Sequence, residues 1–430
     1  MKISPSRAAA YDTLFRIETE KAFSSILLAN LDSSFSDVDR SLCRELVLGS
    51  LRRQIYLDRV IDSLAKGKTL DIEVRIVLRL GVYQLLFLSR IPQYSAINES
   101  VNLAVQAKKR SAKGFVNAIL RSLTRGVPEI NWFDPIERLS VEMSHPQWLI
   151  EKWIGDIGMA ETVKLAAANN ILPKAAFRVL DADDVGVLEL IQGAQRSDLA
   201  ENCYIADRFT TRLIELAAAG KVYIQDEASQ LVAGLVRAEP GSSILDVCAS
   251  PGGKTGIIAR NNSSSRLLVA GDLHPRRINL LRENLDRQRT ANVEIVQYDA
   301  QRSLPFADSS FDAVLVDAPC SGTGTIRHNP EIRYFIGPDD FAALAVKQLS
   351  ILENASKSLR PGGLLVYSTC SLEPEENESV RDGFLQQSGI FRLEEKYFPP
   401  ELRSDGGSLR TWPHSSGTDG FFIAMFQRAR

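Results

Sequence analysis

Two cysteines of this chain each follow a strand-like segment, Cys320 after the run Asp-Ala-Pro and Cys370 after the run Tyr-Ser-Thr. In a sheet of parallel strands the carboxyl ends form the ligand-binding edge, so both thiols are expected there. A single cysteine is more often a small buried apolar residue, which is what we expect of Cys43 and Cys203. Two thiols at strand ends are poorly explained in that way, and they indicate thiolate chemistry.

The chemistry that uses such a thiol is methylation of a pyrimidine carbon. C5 of cytosine is too weak a nucleophile to take a methyl group directly, but a thiolate that adds to C6 makes C5 enamine-like. An ordinary thiol is only slightly ionised at neutral pH, so the site must favour the thiolate. Asp317 is placed to bind the N3/N4 edge of the base, and Lys254 to organise the same edge of the sheet.

A glycine-rich run, Leu-Asp-Val-Cys-Ala-Ser-Pro-Gly-Gly-Lys-Thr at positions 245–255, predicts a turn from a strand into a helix. Glycines let backbone N–H groups close on a ligand, and a helix N-terminus favours negative charge. The dinucleotide motif G-x-G-x-x-G is absent, and a phosphate-binding loop would need glycine where Cys248 stands, so an NTPase is the weaker alternative. The favoured interpretation is a site for S-adenosylmethionine.

Acidic residues close the next strand-like segments. Asp272 ends the second, where a carboxylate would accept hydrogen bonds from both ribose hydroxyls of such a cofactor. Asp299 follows the third, where a polar group would face adenine, and Asp317 follows the fourth. Any one of them is as readily a helix cap, but three at successive strand ends beside one glycine turn favour a binding role.

The elements that must position these residues alternate between strand and helix from about residue 221 onward. Such alternation predicts a largely parallel sheet with helices on both faces. The predicted strands are 243–248, 267–272, 293–298, 311–316, 363–369 and 421–427. The predicted helices are 254–260, 275–289, 339–359 and 375–387.

The first part of the chain has a different pattern. Residues 5–125 are predicted to be almost entirely helical, with Ser36 and Asp39 forming a capping-box-like start and Asp71–Arg90 a largely buried helix. We expect a helical domain over 1–130, a helical connector over 131–172, a small α+β module over 173–220 and an α/β domain over 221–430. In the small module we expect a strand over 175–180 and a helix over 185–193.

Composition excludes several classes of protein. The chain has 430 residues, 44% of them apolar, and a net charge of −2, and it lacks an apolar run long enough for a membrane span, so we expect a cytoplasmic protein that does not contact a membrane. Its five cysteines include no CxxC pair and its four histidines are scattered, so disulfides and a metal site are not expected.

Charge is distributed unevenly along the chain. Residues 1–130 carry 20 basic against 13 acidic residues, and 101–125 carry no acid at all. The basic residues of that stretch are Lys108, Lys109, Arg110, Lys113, Arg121 and Arg125. A solvated helix face would explain them, but a phosphate-binding surface is favoured because the α/β domain indicates a nucleic-acid substrate.

These motifs resemble those of the Nop/Sun family of RNA cytosine-C5 methyltransferases. The resemblance rests on residues 248–255, 317–322 and 368–371, supported by the blocks 225–229 and 419–422. The helical start is similar to the NusB-like RNA-binding domain. The resemblance therefore implies a multidomain chain with an all-α NusB-like N-terminal domain, a small α+β module that binds RNA, and an α/β Rossmann-like class I methyltransferase domain.

The resemblance also implies roles for individual residues. Cys370 is the nucleophile and Cys320 assists release of the methylated product, an order of the thiols that residue chemistry alone does not give. Asp317 and Lys254 support the reaction. Contacts with S-adenosylmethionine are implied for Cys248, Ala249, Ser250, Pro251, Gly252, Gly253, Lys254, Asp272, Asp299 and Asp317.

The implied substrate is 16S rRNA or an early small-subunit assembly intermediate, bound by a monomer. Its target base must leave the stack to reach a pocket at the strand ends. Arg327, His328, Asn329 and Arg333 are expected to line the RNA path. The alternatives are the same chemistry on tRNA or large-subunit rRNA, and a non-enzymatic RNA-binding factor, which would leave both strand-end cysteines unexplained.

Overall fold

The computed structural model describes residues 3–31, 35–181, 186–404 and 406–430. The chain forms two compact units. One comprises Met1–Ile171 together with Ile326–Ile336, and the other comprises Leu172–Thr325 together with Gly337–Arg430. Within the described ranges, none of the helices combines the length and the apolar character of a bilayer span.

The first unit is helical, as the sequence predicts. Ser36 caps the third helix, because its Oγ accepts a hydrogen bond of 3.2 Å from the Asp39 N–H. In the fifth helix Val77 and Leu80 are fully buried. The helices are α1 Pro5–Glu20, α2 Ser24–Ala29, α3 Asp37–Arg52, α4 Gln54–Ala65, α5 Ile72–Phe87, α6 Gln93–Gln106, α7 Lys113–Leu123, α8 Pro135–Met143 and α9 Gln147–Ala168, with a 3₁₀ turn over Arg110–Ala112.

The segment Ile326–Ile336 is an integral part of the helical unit. Arg333 is completely buried and donates hydrogen bonds to the Ser144 carbonyl oxygen at 3.0 Å and to Asn170 Oδ1 at 3.1 Å. Arg327 is 7% exposed. The prediction that these two arginines line an RNA path is wrong, because both side chains are buried instead of facing solvent.

The second unit begins with a small antiparallel sheet in the order β2-β3-β1-β4. Its last strand, β4, pairs with β1 through Ile224 and Phe177, so the sheet extends a few residues past the predicted module boundary at position 220. Of the helix predicted over 185–193 the structure shows Gly186–Glu189, and position 185 lies outside the described residues. The elements are β1 Ala175–Val179, α10 Gly186–Glu189, β2 Gln195–Arg196, β3 Cys203–Ala206, α11 Thr211–Ala218 and β4 Val222–Ile224.

The larger sheet has the strand order β11-β12-β13-β9-β8-β5-β6-β7, with β10 added beside β13. The five adjacent strands β7, β6, β5, β8 and β9 pair in parallel, and β13 runs antiparallel to β9. Its strands are β5 Ser243–Asp246, β6 Leu267–Asp272, β7 Val293–Gln297, β8 Phe311–Asp317, β9 Leu359–Thr369, β10 Phe391–Leu393, β11 Arg403–Ser404, β12 Ser408–Thr411 and β13 Phe421–Arg428. The helices are α12 Glu227–Gly234, α13 Gly253–Asn261, α14 Pro275–Arg287, α15 Ile332–Phe335 (in the helical unit), α16 Asp340–Lys357 and α17 Glu378–Ser388, with 3₁₀ turns over Thr323–Thr325 and Pro400–Leu402.

Helices cover both faces of this sheet, which confirms the predicted α/β architecture. Successive residues of a strand point to opposite faces, so Leu315 packs with α12 and α13 while its neighbour Val316 packs with α16 and α17. Burial on both faces explains why the parallel strands are continuous apolar runs. The chain order reverses between β5 and β8, and ligands bind at the carboxyl ends of strands beside such a reversal.

Candidate active site

The two thiols meet because their strands are parallel neighbours. Asp317 at the end of β8 is paired with Ser368 near the end of β9, so the loops that follow start side by side. Cys320 Sγ and Cys370 Sγ lie 3.2 Å apart and share a hydrogen bond. Residues separated by fifty positions in sequence are thus brought into contact at the predicted edge of the sheet.

The surroundings of Cys320 favour its neutral thiol form. The hydrogen bond with Cys370, together with burial, holds the pKa of Cys320 well above the ordinary value of a thiol. Cys320 therefore stays protonated at neutral pH. A neutral thiol at this distance can donate a hydrogen bond to Cys370 Sγ.

An ammonium–carboxylate pair lies beside the thiols. Lys254 Nζ donates to Asp317 Oδ2 at 2.7 Å, and Ser368 Oγ donates to Asp317 Oδ1 at 2.8 Å. Burial lowers the pKa of Lys254, but attraction to Asp317 outweighs it, and the net pKa is raised. Lys254 is therefore held as a cation, and both oxygens of Asp317 are oriented by hydrogen bonds.

The glycine-rich turn joins β5 to α13 and is shaped by close packing. Gly252 has a φ of 100°, a conformation that favours glycine, and a Cβ added there would lie 2.9 Å from Leu281 Cδ1. Gly253 faces Tyr223, whose Cε1 would lie 3.0 Å from an added Cβ. Asn284 Nδ2 donates to the Pro251 carbonyl oxygen at 2.9 Å and fixes the turn against α14.

The acids predicted to bind the cofactor have different surroundings. Asp272 is 4% exposed, accepts a hydrogen bond of 3.3 Å from the Ser250 N–H, and pairs with Arg277 at 3.3 Å. Asp299 accepts from the Gln301 N–H at 3.0 Å, a turn-capping contact. Both carboxylates still line the cavity beside the glycine turn.

Asp246, at the end of β5, is a functional candidate that sequence reasoning missed. Thr255 Oγ1 donates to its Oδ2 at 2.7 Å, whereas its buried Oδ1 has no hydrogen-bond partner within the described chain. Burial raises the pKa of Asp246 to about 7. Its position directly before the glycine turn was the available signal.

A cavity of about 360 Å³ connects most of these groups. Of the predicted site residues, it is lined by Cys248, Ser250, Asp272, Asp299, Asp317, Cys320 and Cys370. A smaller cavity of about 140 Å³ adjoins it, lined among others by Ala249, Pro251, Gly253, Lys254 and again Asp317. Gly252 faces Leu281 in α14, and its contribution to the site is to let the turn adopt its conformation.

These residues fit S-adenosylmethionine. The glycine turn leaves no room for a side chain at Gly252, and the cavity presents the Asp272 carboxylate beside the turn, where ribose hydroxyls would donate. The unpartnered Oδ1 of Asp246 offers a further acceptor. Cys248 also lines the cavity, and burial raises the pKa of its thiol, so it stays neutral.

Comparison with protein families assigns both parts of the chain. Residues 4–125 match the NusB family, and residues 233–427 match the family described as 16S rRNA methyltransferase RsmB/F. The "probable ribosomal RNA small subunit methyltransferase B" of Bacillus subtilis is 36% identical, with all of both chains covered. The "ribosomal RNA small subunit methyltransferase B" of Pseudomonas putida is 34% identical over 98% of each chain.

Solved structures show the same architecture. The crystal structure of the protein PH0851 is 26% identical and matches with a TM-score of 0.82 over all of both chains. A methyltransferase homolog protein from Pyrococcus horikoshii is 27% identical with a TM-score of 0.57, covering 69% of this chain and 100% of that one. Full-length similarity above 30% identity and the matched site-bearing domain lead to one conclusion: the chain belongs to the RsmB/F family of S-adenosylmethionine-dependent rRNA methyltransferases.

Proposed function

We propose that the protein methylates C5 of a cytosine in small-subunit (16S) rRNA through a transient bond between Cys370 Sγ and C6 of the base. The observation that carries the proposal is the contact of two thiols at 3.2 Å beside the Lys254–Asp317 pair, on the edge of the sheet that faces the cofactor cavity. When bound, S-adenosylmethionine supplies an electrophilic methyl group on a sulfonium sulfur.

The two thiols divide the work. Cys370 is the thiol that attacks C6 in this proposal, an order that rests on the resemblance of the motif at 368–371 to the family pattern. Cys320 assists the final elimination, in which a base takes the C5 proton, the C5–C6 double bond forms again and the Sγ–C6 bond breaks to release Cys370 as the thiolate. The hydrogen bond between the sulfurs lets the Cys320 thiol stabilise that leaving thiolate.

The Lys254–Asp317 pair acts on the target cytosine. Asp317 accepts a hydrogen bond from the N4 amino group of the base, while Lys254 keeps Asp317 oriented. Glycine-turn residues 248–254 and the carboxylates of Asp272 and Asp299 hold the cofactor. The negative charge that develops on the ring as sulfur adds is met by the Lys254 ammonium, which is already in place.

RNA binding rests on the helical unit in this proposal. Lys108, Arg110 and Lys113 are exposed in the NusB-family part, as are Arg121 and Arg125. Phosphate contacts at such positions release counterions and offset the few kcal/mol needed to unstack the target base. We further propose that the enzyme acts as a cytoplasmic monomer on 16S rRNA or an early assembly intermediate.

This chemistry is tested by measuring methyl transfer from radiolabelled S-adenosylmethionine to rRNA, with the wild type and three cysteine variants. Cys370→Ala should abolish turnover, whereas Cys320→Ala should accumulate a protein–RNA adduct that survives denaturation. The double variant should form no adduct. An adduct that persists without Cys370, or normal turnover in Cys370→Ala, contradicts the assignment of the nucleophile.

Bisulfite mapping of RNA from cells with and without the protein identifies the target. Loss of one 5-methylcytosine from 16S rRNA supports the proposal. A missing mark in tRNA or large-subunit rRNA would keep the chemistry and change the substrate. If no RNA cytosine changes and no label is transferred, the protein is an RNA-binding factor without this activity.

A further inference from the structure

A buried carboxylate links the two cysteine loops. Glu376 lies in the turn before α17, and its side chain is inaccessible to solvent. Its Oε2 accepts hydrogen bonds from the Ser321 N–H at 2.9 Å and from Gln348 Nε2 at 2.8 Å. Its Oε1 accepts from the hydroxyls of Ser371, at 2.5 Å, and of Ser321.

The two serines that bind Glu376 are the residues directly after the two thiols. Ser321 follows Cys320 and Ser371 follows Cys370, and their hydroxyls also contact each other at 3.0 Å. One carboxylate thus fixes both loops within one residue of each sulfur. The strands set the loops side by side, but the sulfur–sulfur contact is made three residues beyond Asp317, past the last residue pair of β8 and β9.

The carboxylate itself is held from the adjoining helix and strand. Gln348 in α16 also donates to the Pro319 carbonyl oxygen at 3.0 Å, directly before Cys320. Tyr367 in β9 donates from its hydroxyl to the Glu376 carbonyl oxygen at 2.6 Å. A buried carboxylate is stable only when its oxygens are fully hydrogen-bonded, and here every such bond also fixes a part of the thiol site.

We propose that Glu376 is a positioning residue that sets the separation of Cys320 Sγ and Cys370 Sγ. The inference deepens the proposed function and rests on it for the catalytic consequence, although the geometry of the thiols can be measured without any RNA. Glutamine at this position would turn one acceptor oxygen into a donor facing serine or glutamine donors. The loops would then lose their common anchor.

Binding of phenylarsine oxide to the full-length protein tests the separation directly. Its As–O bond breaks, two As–S bonds form, and the two thiol protons leave with the oxygen as water, so both sulfurs must be close enough to share one arsenic atom. Cys370→Ala gives the background. E376Q should weaken arsenical binding and lower kcat by about tenfold or more, the size of one charge-assisted hydrogen bond, with unchanged affinity for S-adenosylmethionine. E378Q, which removes the carboxylate that pairs with Arg410, should retain wild-type values.

A folded E376Q that binds the arsenical like the wild type overturns the proposal, and so does a wild type that does not bind it. If E376Q fails to fold, Ser371→Ala decides, because it removes one hydroxyl donor and should weaken arsenical binding about threefold to tenfold. Wild-type binding by Ser371→Ala would then refute the inference. Weakened arsenical binding in E376Q, combined with no cytosine methylation by the wild type, would uphold the positioning role and reject the proposed function.

Discussion

The Lys254–Asp317 pair should act as one unit, and Asp317→Asn is the variant that tests it. The substitution keeps an oxygen for Ser368 Oγ and turns an Nδ2 group toward the ammonium of Lys254. In the native protein the Lys254 side chain is 14% exposed and the Asp317 side chain 27% exposed, so neither charged group is well hydrated. The cation would be left facing a donor.

The magnitude follows from the hydrogen bond that the variant removes. A bond between charged groups contributes about 1.5–3 kcal/mol, which corresponds to roughly tenfold to a hundredfold in rate if the pair supports the transition state. Lys254→Met should cause a loss of similar size. Because each single change already disables the pair, the double variant should be little slower than the slower single variant, with a coupling energy of about 2 kcal/mol.

The assay is single-turnover methyl transfer to RNA. It is measured for the wild type, both single variants and the double variant. Ser368→Ala serves as the comparison, because it removes a donor to Asp317 Oδ1 at a cost of about 1.5–3 kcal/mol but leaves the Lys254–Asp317 bond in place. Additive effects of the two single changes, a combined loss of roughly a thousandfold, would show that the residues act independently and would refute the reasoning.

Three further outcomes concern stability and RNA binding. Arg333→Met should destabilise the helical unit by about 3 kcal/mol, because buried carbonyl and amide oxygens lose their donor, whereas Arg138→Ala at an exposed site should change thermal stability by under about 0.5 kcal/mol. The pKa of Asp246 is raised from 3.8 to about 7, so the folded state retains a proton that the unfolded chain releases. The contribution of Asp246 to the free energy of unfolding should therefore be full below pH 4 and decline as pH rises through 7, by up to about 1.4 kcal/mol per unit. Urea titrations should show that the free energy of unfolding changes less between pH 5 and pH 7.5 for Asp246→Asn than for the wild type. An equal change in the two proteins would contradict the assignment of the raised pKa to Asp246. Replacing the five exposed basic residues of the helical unit with glutamine should weaken RNA binding and make it less dependent on salt, because the slope against salt falls by about 0.7–0.9 for each phosphate that is no longer neutralised. An unchanged slope would exclude this surface. Those residues are Lys108, Arg110, Lys113, Arg121 and Arg125.

The strands of the α/β unit were predictable because most are buried on both faces and therefore continuous in apolar character. The prediction over 267–272 agrees with Leu267–Asp272, and the one over 311–316 is extended by a single residue to Asp317. The prediction over 363–369 missed the first four residues of Leu359–Thr369, since Arg360, Pro361 and two glycines interrupt the apolar run. The outer strands β10 to β12 have only two to four residues each, too few to produce a pattern.

Individual side chains were less predictable than elements. Glu376 fell inside the helix predicted over 375–387, but the helix begins at Glu378, and the preceding turn directs Glu376 inward. Arg333 was predicted to line the RNA path because it follows Cys320 in the sequence, yet the chain encloses it among helices far away in sequence. In both cases burial depends on partners that no local pattern contains.

The amino-acid sequence by itself predicted the order of the elements, the candidate thiols and most of the candidate carboxylates, and the family, because these are carried by local patterns and by motifs. The tertiary structure decided which of these groups touch. Parallel pairing of β8 with β9 brings Cys320 to Cys370, and the same packing turns Glu376 into a shared anchor. The physical reason is that distances and pKa values at a site are set by neighbours from separate parts of the chain, and these meet only when the sheet has formed.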